Sequence, residues 1–374
     1  MESGQGPSEA ATGTVGQRAP LHRGADQPAR RSLALDGLTL AGGTAQVEER
    51  DLSASAFHTL VSFRLSAAGP RPGLLVVPPL SGHFAMLMRD VVIGLLPDFD
   101  VSLLDWTNVR HVPQPFGSFG FEDNILTVER AIRELGPGLN VLALCQGGVP
   151  ALAATARLAE EAPHTAPQAL VLMAAPVDPM ANPTAVVRLI RRWPMLWYRM
   201  GAMAPVPRGF AGQGRRVYPA ATQLAGLRAY LARDRERDGE LARKFRADDG
   251  ADPGVAPFGD LYTSVMDVDA RHFAENLEQV FHICAITKGR LTCRGRTVRP
   301  EALQHTTLIT VEGALDDIAA PGQTAAAHDL CIALPPRRRA RIVVPDCGHF
   351  GLFHGRPCRE RVLPAIREHL LSAG

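Results

Sequence analysis

The spacing of hydrophobic positions changes several times along the chain. Over residues 33–63 apolar and polar positions alternate, the period of two expected for antiparallel strands with one wet face. Gly73-Leu-Leu-Val-Val-Pro-Pro-Leu80 is instead a continuous apolar run, which reads as a strand buried on both faces. Similar runs recur at 101–106, 140–145, 169–174, 307–311 and 341–344. Helical spacing fills the intervals at 84–96, near 124–135, and in the alanine-rich stretch 149–162. Strands alternating with helices predict an α/β protein with a doubly wound, mostly parallel sheet.

The interval 179–304 is far longer than a connection between sheet strands needs. It reads as a helical cap inserted into the sheet domain, beginning at Asn182-Pro183, a capping residue followed by proline at the first helical position. The predicted organisation is a disordered tail over 1–31, a core over 32–178, the cap over 179–304 and the rest of the core over 305–374. The tail follows from its Gly, Ala, Ser, Pro and Arg content and its lack of hydrophobic periodicity.

Composition narrows the function classes. With 40 basic and 38 acidic residues in 374, net charge is +2, so no bulk field draws the chain to nucleic acid or an anionic membrane. No apolar run is long enough for a membrane span, and no secretory leader is evident. The six cysteines contain no CxxC pair, which predicts a reducing, cytoplasmic setting. No phosphate loop or dinucleotide fingerprint occurs, and the twelve histidines do not cluster at metal-ligand spacing. The expected cofactor and metal content is none.

The chemistry concentrates at Ala143-Leu-Cys145-Gln-Gly147, where a buried strand breaks into a helix. α/β-Hydrolases place their nucleophile on such a turn, spelled GxSxG, with small residues two before and two after it. Here those positions are Ala143 and Gly147, and cysteine replaces serine. A lone cysteine is more often simply buried in a core, so its partners decide the reading. The fold requires nucleophile, acid and base in that order. Asp316, in Gly313-Ala-Leu-Asp316-Asp317-Ile318, follows one strand, and His349, in Asp346-Cys-Gly-His349-Phe-Gly351, follows the last. Each falls in the required element. Singly, Asp316 reads equally as a turn residue and His349 as a capping one; together with Cys145 they read as a triad. Of the adjacent acids, Asp316 occupies the triad slot and Asp317 is expected to cap the next helix or bond its own turn. Oxyanion donors are expected from the backbone of Gln146 and of Leu80 and Ser81. His83 and the aromatic cluster Trp193, Trp197 and Tyr198 are candidate substrate contacts, with a structural hydrogen bonder and a cap core as the plainer alternatives.

These residues resemble the intracellular polyhydroxyalkanoate (polyhydroxybutyrate) depolymerases over most of the chain, from about Phe57 to His369. The resemblance is carried by Pro79-Leu-Ser-Gly-His-Phe-Ala85, Asp105-Trp106 with Arg110-His-Val-Pro113, and Cys145-Gln with Val149-Pro150. It continues through Arg216-Val-Tyr-Pro219, Val265-Met-Asp267, Thr310-Val-Glu-Gly, Asp316-Asp-Ile318, Gly322-Gln-Thr324 and Gly348-His-Phe-Gly-Leu-Phe353. It implies an α/β-hydrolase fold with an inserted helical cap, a cysteine nucleophile, and action on stored polyester granules in the cytoplasm. Gly147-Gly148 replace the family's Pro-Ser, which predicts a looser turn, and residues 248–257 read as an aromatic-poor insertion in the cap. Rival readings are a synthase-like acyltransferase, a small-molecule cysteine esterase or lactone hydrolase, and a granule protein that binds without catalysis. The expected partner is the polyester granule or a hydroxyacyl ester, with no nucleic acid and no membrane span.

Overall fold

The computed structural model describes residues 28–35, 38–40, 43–44, 46–66 and 69–372. Its centre is an eight-stranded sheet: β1 (Val47–Ala54), β2 (His58–Leu65), β3 (Gly73–Val77), β4 (Asp100–Trp106), β5 (Asn140–Leu144), β6 (Ala169–Met173), β7 (Thr307–Gly313) and β8 (Arg339–Val344). The spatial order is β8-β7-β6-β5-β3-β4-β2-β1. From β8 across to β4 every pairing is parallel, with Val77 opposite Ala143 and Leu144 opposite Met173. β4–β2 and β2–β1 are antiparallel, as the alternation predicts. The outermost strands carry Glu48, Glu49, Arg50 and Asp51 at one edge and Arg339 and Arg341 at the other, charges that discourage edge-to-edge pairing.

Successive strands from β3 to β6 are connected by three helices, α1 (Arg89–Leu95), α2 (Phe121–Leu135) and α3 (Gly148–Glu161). The segment predicted at 84–96 is divided, its first turn being a tight 3-10 helix at Ala85–Met88. α2 and α3 pack on each other. β5 and β6 are buried along their whole length, and each Val or Leu withdrawn from water there contributes about 1.5–3 kcal/mol.

Between β6 and β7 lie α4 (Ala185–Arg192), α5 (Met195–Gly201), α6 (Ala220–Glu236), α7 (Glu240–Arg246), α8 (Phe258–Thr263) and α9 (Ala270–Asn276). α9 continues into a wide π-helical turn, Leu277–His282. The expectation of a helical insertion needs two corrections. Three short strands, Ala204–Pro205, Arg216–Tyr218 and Val268–Asp269, form a small antiparallel sheet inside it, and a hairpin pairs Thr292–Cys293 with Arg296–Thr297. Strands of two or three residues are too short to show a period. Its first helix also begins later than Asn182-Pro183. Thr184 is the cap, accepting the N–H of Val187 at 3.2 Å, while Asn182 is tied to Pro321 and Gln323. After β8 the chain closes with α10 (Leu363–Ser372), which packs on α1.

Residues 1–27 of the predicted tail lie outside the described residues. Its last four do not behave as a tail. Arg30 donates to Asp105 at 2.6 Å, the Ala29 carbonyl accepts the Asn108 N–H at 2.8 Å, and Arg31 bonds Ser264. The stretch 248–257 is likewise anchored: Asp248 accepts the Phe258 N–H, Asp249 that of Arg356, and Asp90 that of Ala251. Among the described residues no helix is long and apolar enough to cross a membrane.

Candidate active site

All four segments singled out in the sequence leave the C-terminal ends of neighbouring parallel strands: 78–84 after β3, Cys145 after β5, Asp316 after β7 and His349 after β8. This is where open α/β sheets place their sites.

Cys145 stands at φ 47°, a left-handed conformation that costs a residue with a Cβ about 1–2 kcal/mol. The residue before it, Leu144, is extended at φ −112°, ψ 137°, and the residues after it turn at once into a 3-10 turn and α3. The turn is tight, not looser as the Gly147-Gly148 departure predicts. A Cβ on Gly147 would lie 2.8 Å from the Val77 carbonyl oxygen, and one on Gly148 2.3 Å from Cβ of Ala175. Trp106 fixes the wall that Gly147 faces, donating its indole N–H to the Pro78 carbonyl at 3.1 Å. Gln146 lies in the first turn, where a backbone N–H has no acceptor within the helix. Cys145 is half-buried and the other five cysteines are buried.

His349 Nδ1 meets Asp316 Oδ2 at 2.8 Å. The other oxygen of Asp316 accepts the N–H groups of Ile318 and Ala319, each at 2.8 Å. That leaves Nε2 for the hydrogen bond between His349 and Cys145. Burial lowers the imidazole pKa, but the Asp316 carboxylate and the Cys145 sulfur raise it more, so His349 sits well above its ordinary value. The two turns are laced together: Leu315 N–H donates to the Cys347 carbonyl and Ala314 N–H to Val344. Asp317 does not cap a helix or bond its own turn as expected. It accepts the hydroxyl of Tyr230 on α6 and faces Arg237, just past that helix's end, at 3.7 Å.

Several residues to which the sequence reading gave no role hold this arrangement. Glu240, at the start of α7, packs its carboxylate against Gly348 and Gly351 on either side of His349, so closely that a Cβ on either glycine would lie 2.3 or 2.1 Å from its oxygens. Burial pushes its carboxyl up, against the pull of Lys244, the nearby Gly348 and Gly351 N–H groups and His349. Glu312 accepts three N–H bonds, from Gly322, Thr324 and Ala325, at 2.8–3.0 Å, which fixes the segment beyond Asp316. Asn276 donates to the Gln146 side chain at 2.9 Å.

The loop 80–84 is held by the insertion. Met266 N–H donates to the Gly82 carbonyl at 2.6 Å, and Phe84 N–H to Ser264 at 3.2 Å. His83 Nε2 lies 3.0 Å from the Tyr262 carbonyl; burial, outweighing that bond and joined by the nearby His349, lowers its pKa to about 4 and keeps it neutral. His272, also lowered to about 4 by burial, bonds the Leu80 carbonyl. Behind this edge Arg110 and Asp267 make a buried two-point ion pair, both contacts 3.0 Å. Asp267 also accepts the Ala220 N–H, and its own N–H reaches Asn108 Oδ1 at 3.1 Å.

Cys145, Asp316 and His349 are thus brought together, with Leu80, Ser81 and Gln146 on the adjoining strand ends. His83 is there as a structural anchor. The aromatic cluster divides: Trp193 and Trp197 stack at 5.3 Å on the surface, while Tyr198 is buried, its hydroxyl donating to the Ile190 carbonyl. Among the described residues no hydrogen bond or ring contact joins the three to Cys145, Asp316 or His349.

The sheet order and the placement of these turns define an α/β-hydrolase. Two solved structures agree at the level of fold. A hypothetical protein from Pseudomonas aeruginosa superposes with a TM-score of 0.51 at 11% identity, covering 93% of this chain and 99% of that one. DcsB in complex with its substrate analogue gives 0.50 at 12% identity, covering 88% and 99%. A thermophilic esterase from Thermogutta terrifontis gives 0.47 at 14%, covering 88% and 99%. No curated protein matches significantly. The sequence matches the family described as PHB de-polymerase C-terminus over residues 174–373, just over half of the chain. The chain belongs to that family and is an ester hydrolase.

Proposed function

We propose that this chain is a cysteine hydrolase that cuts the ester bonds of polyhydroxyalkanoate, polyhydroxybutyrate in particular, in the cytoplasm at storage granules. Cys145 is the nucleophile, His349 the base and Asp316 the acid that orients it. The observation that carries this reading is one imidazole bonded on one nitrogen to a saturated Asp316 carboxylate and hydrogen-bonded to a Cys145 held at positive φ. Asp316 fixes the tautomer and supports the imidazolium. Cys145 Sγ, its proton already held by His349, adds to the ester carbonyl. The N–H of Gln146, with Leu80 or Ser81, receives the oxyanion. His349 returns the proton to the departing alkoxide, leaving a thioester, and then activates water, whose attack releases the hydroxyacid and restores Cys145. Residues 179–304 act as a cap that also holds the oxyanion loop.

The test is product analysis. Purified protein is incubated with amorphous polyhydroxybutyrate, a soluble ester, and 3-hydroxybutyryl-CoA. Release of 3-hydroxybutyrate or its oligomers, lost in Cys145→Ala with melting temperature retained, is the expected result. Cleavage of the soluble ester alone makes it a small-molecule esterase, and growth of polymer from the CoA ester makes it an acyltransferase.

A further inference from the structure

The proposed chemistry leaves one surface of the insertion unused. On α4, α5 and the corner joining them, Leu189, Trp193, Leu196, Trp197 and Met200 are 56, 41, 65, 44 and 72% exposed. Single exposed apolar residues are ordinary; five within twelve positions form a patch of the kind that marks a binding surface. The same stretch carries Arg188, Arg191, Arg192 and Arg199 and no acidic residue between Ala185 and Gly201. Among the described residues its one ion pair is Arg199–Glu278, at 2.8 Å. Trp, Leu and Met projecting between arginines is the pattern of helices that lie on an apolar surface bearing negative charge.

The patch adjoins the candidate site. Thr184, Ala185 and Val186, at the start of α4, line a cleft whose other wall is Tyr230 and Arg233 of α6 and which reaches Asp316 and Asp317. A surface seated on the exposed face of α4 and α5 therefore lies beside an opening toward the triad turn. Hydrolysis of a polyester leaves carboxylate chain ends on an apolar particle, which matches both the apolar side chains and the arginines.

We propose that α4 and α5 form the docking surface by which this protein seats on a polyester particle carrying carboxylate chain ends; the proposal rests on the polyester-hydrolase reading above. Its test is the double variant Leu196→Asp/Met200→Asp, with Leu189→Asp, on the other helix, as an independent repeat. Co-sedimentation with amorphous polyhydroxybutyrate particles made without lipid or protein, acid release from them, and turnover of a nitrophenyl ester are measured together. The expected result is a roughly tenfold or greater loss of particle binding and particle hydrolysis, with nitrophenyl-ester turnover within about twofold of the parent and an unchanged melting temperature. Arg192→Glu weakens particle binding at low salt and not at high salt. Particle hydrolysis equal to the parent's in both aspartate variants overturns the docking surface. So does tighter binding of the parent to anionic phospholipid vesicles than to the particles, or a dimer in the parent that the variants dissolve. If the parent hydrolyses the nitrophenyl ester but no particle, the polyester reading itself has failed.

Discussion

The two sides of the candidate site are built by different parts of the chain. On the sheet side, Cys145, Asp316 and His349 stand on turns that leave β5, β7 and β8, and each is fixed by its own neighbourhood: a glycine-packed elbow, two N–H bonds from Ile318 and Ala319, and a turn laced to the one beside it. On the loop side, residues 80–84 depend on Tyr262, Ser264 and Met266, and the Gln146 side chain depends on Asn276, all from the insertion. On the proposed mechanism, proton transfer therefore rests chiefly on the core, with Glu240 of the insertion only backing the His349 turn, whereas oxyanion geometry is shared with the insertion. The two should fail separately.

The largest separation is expected on the sheet side. Asp316→Asn keeps the shape but favours the wrong imidazole tautomer, a change worth up to about 10⁴-fold in kcat in serine proteases. A thiol is more acidic than a hydroxyl, so the loss here falls below that ceiling. Asp317→Asn, whose side chain among the described residues bonds Tyr230 and pairs with Arg237, should cost less than about threefold, as for an exposed pair. Both are measured on one soluble ester; if Asp317→Asn is the more damaged enzyme, the acid has been assigned to the wrong residue.

Next is a blow to the loop side alone. Asp267→Asn removes the charge that faces the buried Arg110 guanidinium, a loss of up to about 3–5 kcal/mol in stability. It should lower kcat by up to about 10²-fold through a displaced oxyanion donor, while the rate of Cys145 alkylation changes less than about twofold. Turnover and alkylation falling together would mean that the two sides are one unit.

The smallest effect is a pH dependence. The folded pKa of His349 lies above its unfolded value of about 6.5, so the folded state holds that proton more tightly. The stability this contributes is complete below about pH 6.5 and is lost as pH rises through the raised folded value. The melting-temperature difference between the parent and His349→Gln should therefore shrink from pH 6.5 upward; a difference that is flat or grows over that range contradicts the charged pairing with Asp316.

The sheet side was legible in the sequence because strand, turn and helix are contiguous there. Continuous apolar runs marked β3 to β7, and the order of Cys145, Asp316 and His349 followed from the connectivity of such a sheet. The loop side was not. Asn276 meets Gln146 across 130 positions and Tyr262 meets His83 across 179, contacts that no local period encodes. The resemblance did quote Arg110 and Asp267 in separate motifs, and the structure supplies the reason by pairing them. Glu312 and Trp106 are explained similarly, as buried anchors of the segments around Asp316 and Pro78. Gly147-Gly148 misled because glycine suggests freedom, and only the packed structure reveals Val77 and Ala175 against them. The two-residue strands of the insertion and its Thr184 cap were hidden by their brevity.

The central claim is that Cys145 is a nucleophile activated by His349. The most direct measurement is brief treatment of the native protein with iodoacetamide, followed by mass spectrometry of every cysteine and assay of residual ester cleavage. Cys145 is half-buried and hydrogen-bonded to His349, while burial pushes Cys293 up to about 11 and Cys331 and Cys347 to about 12, and also raises Cys284 and Cys358. Thiolate is the reactive form, so Cys145 should be alkylated first, and activity should fall in step with its modification. Inactivated protein in which Cys145 remains unmodified would contradict the account.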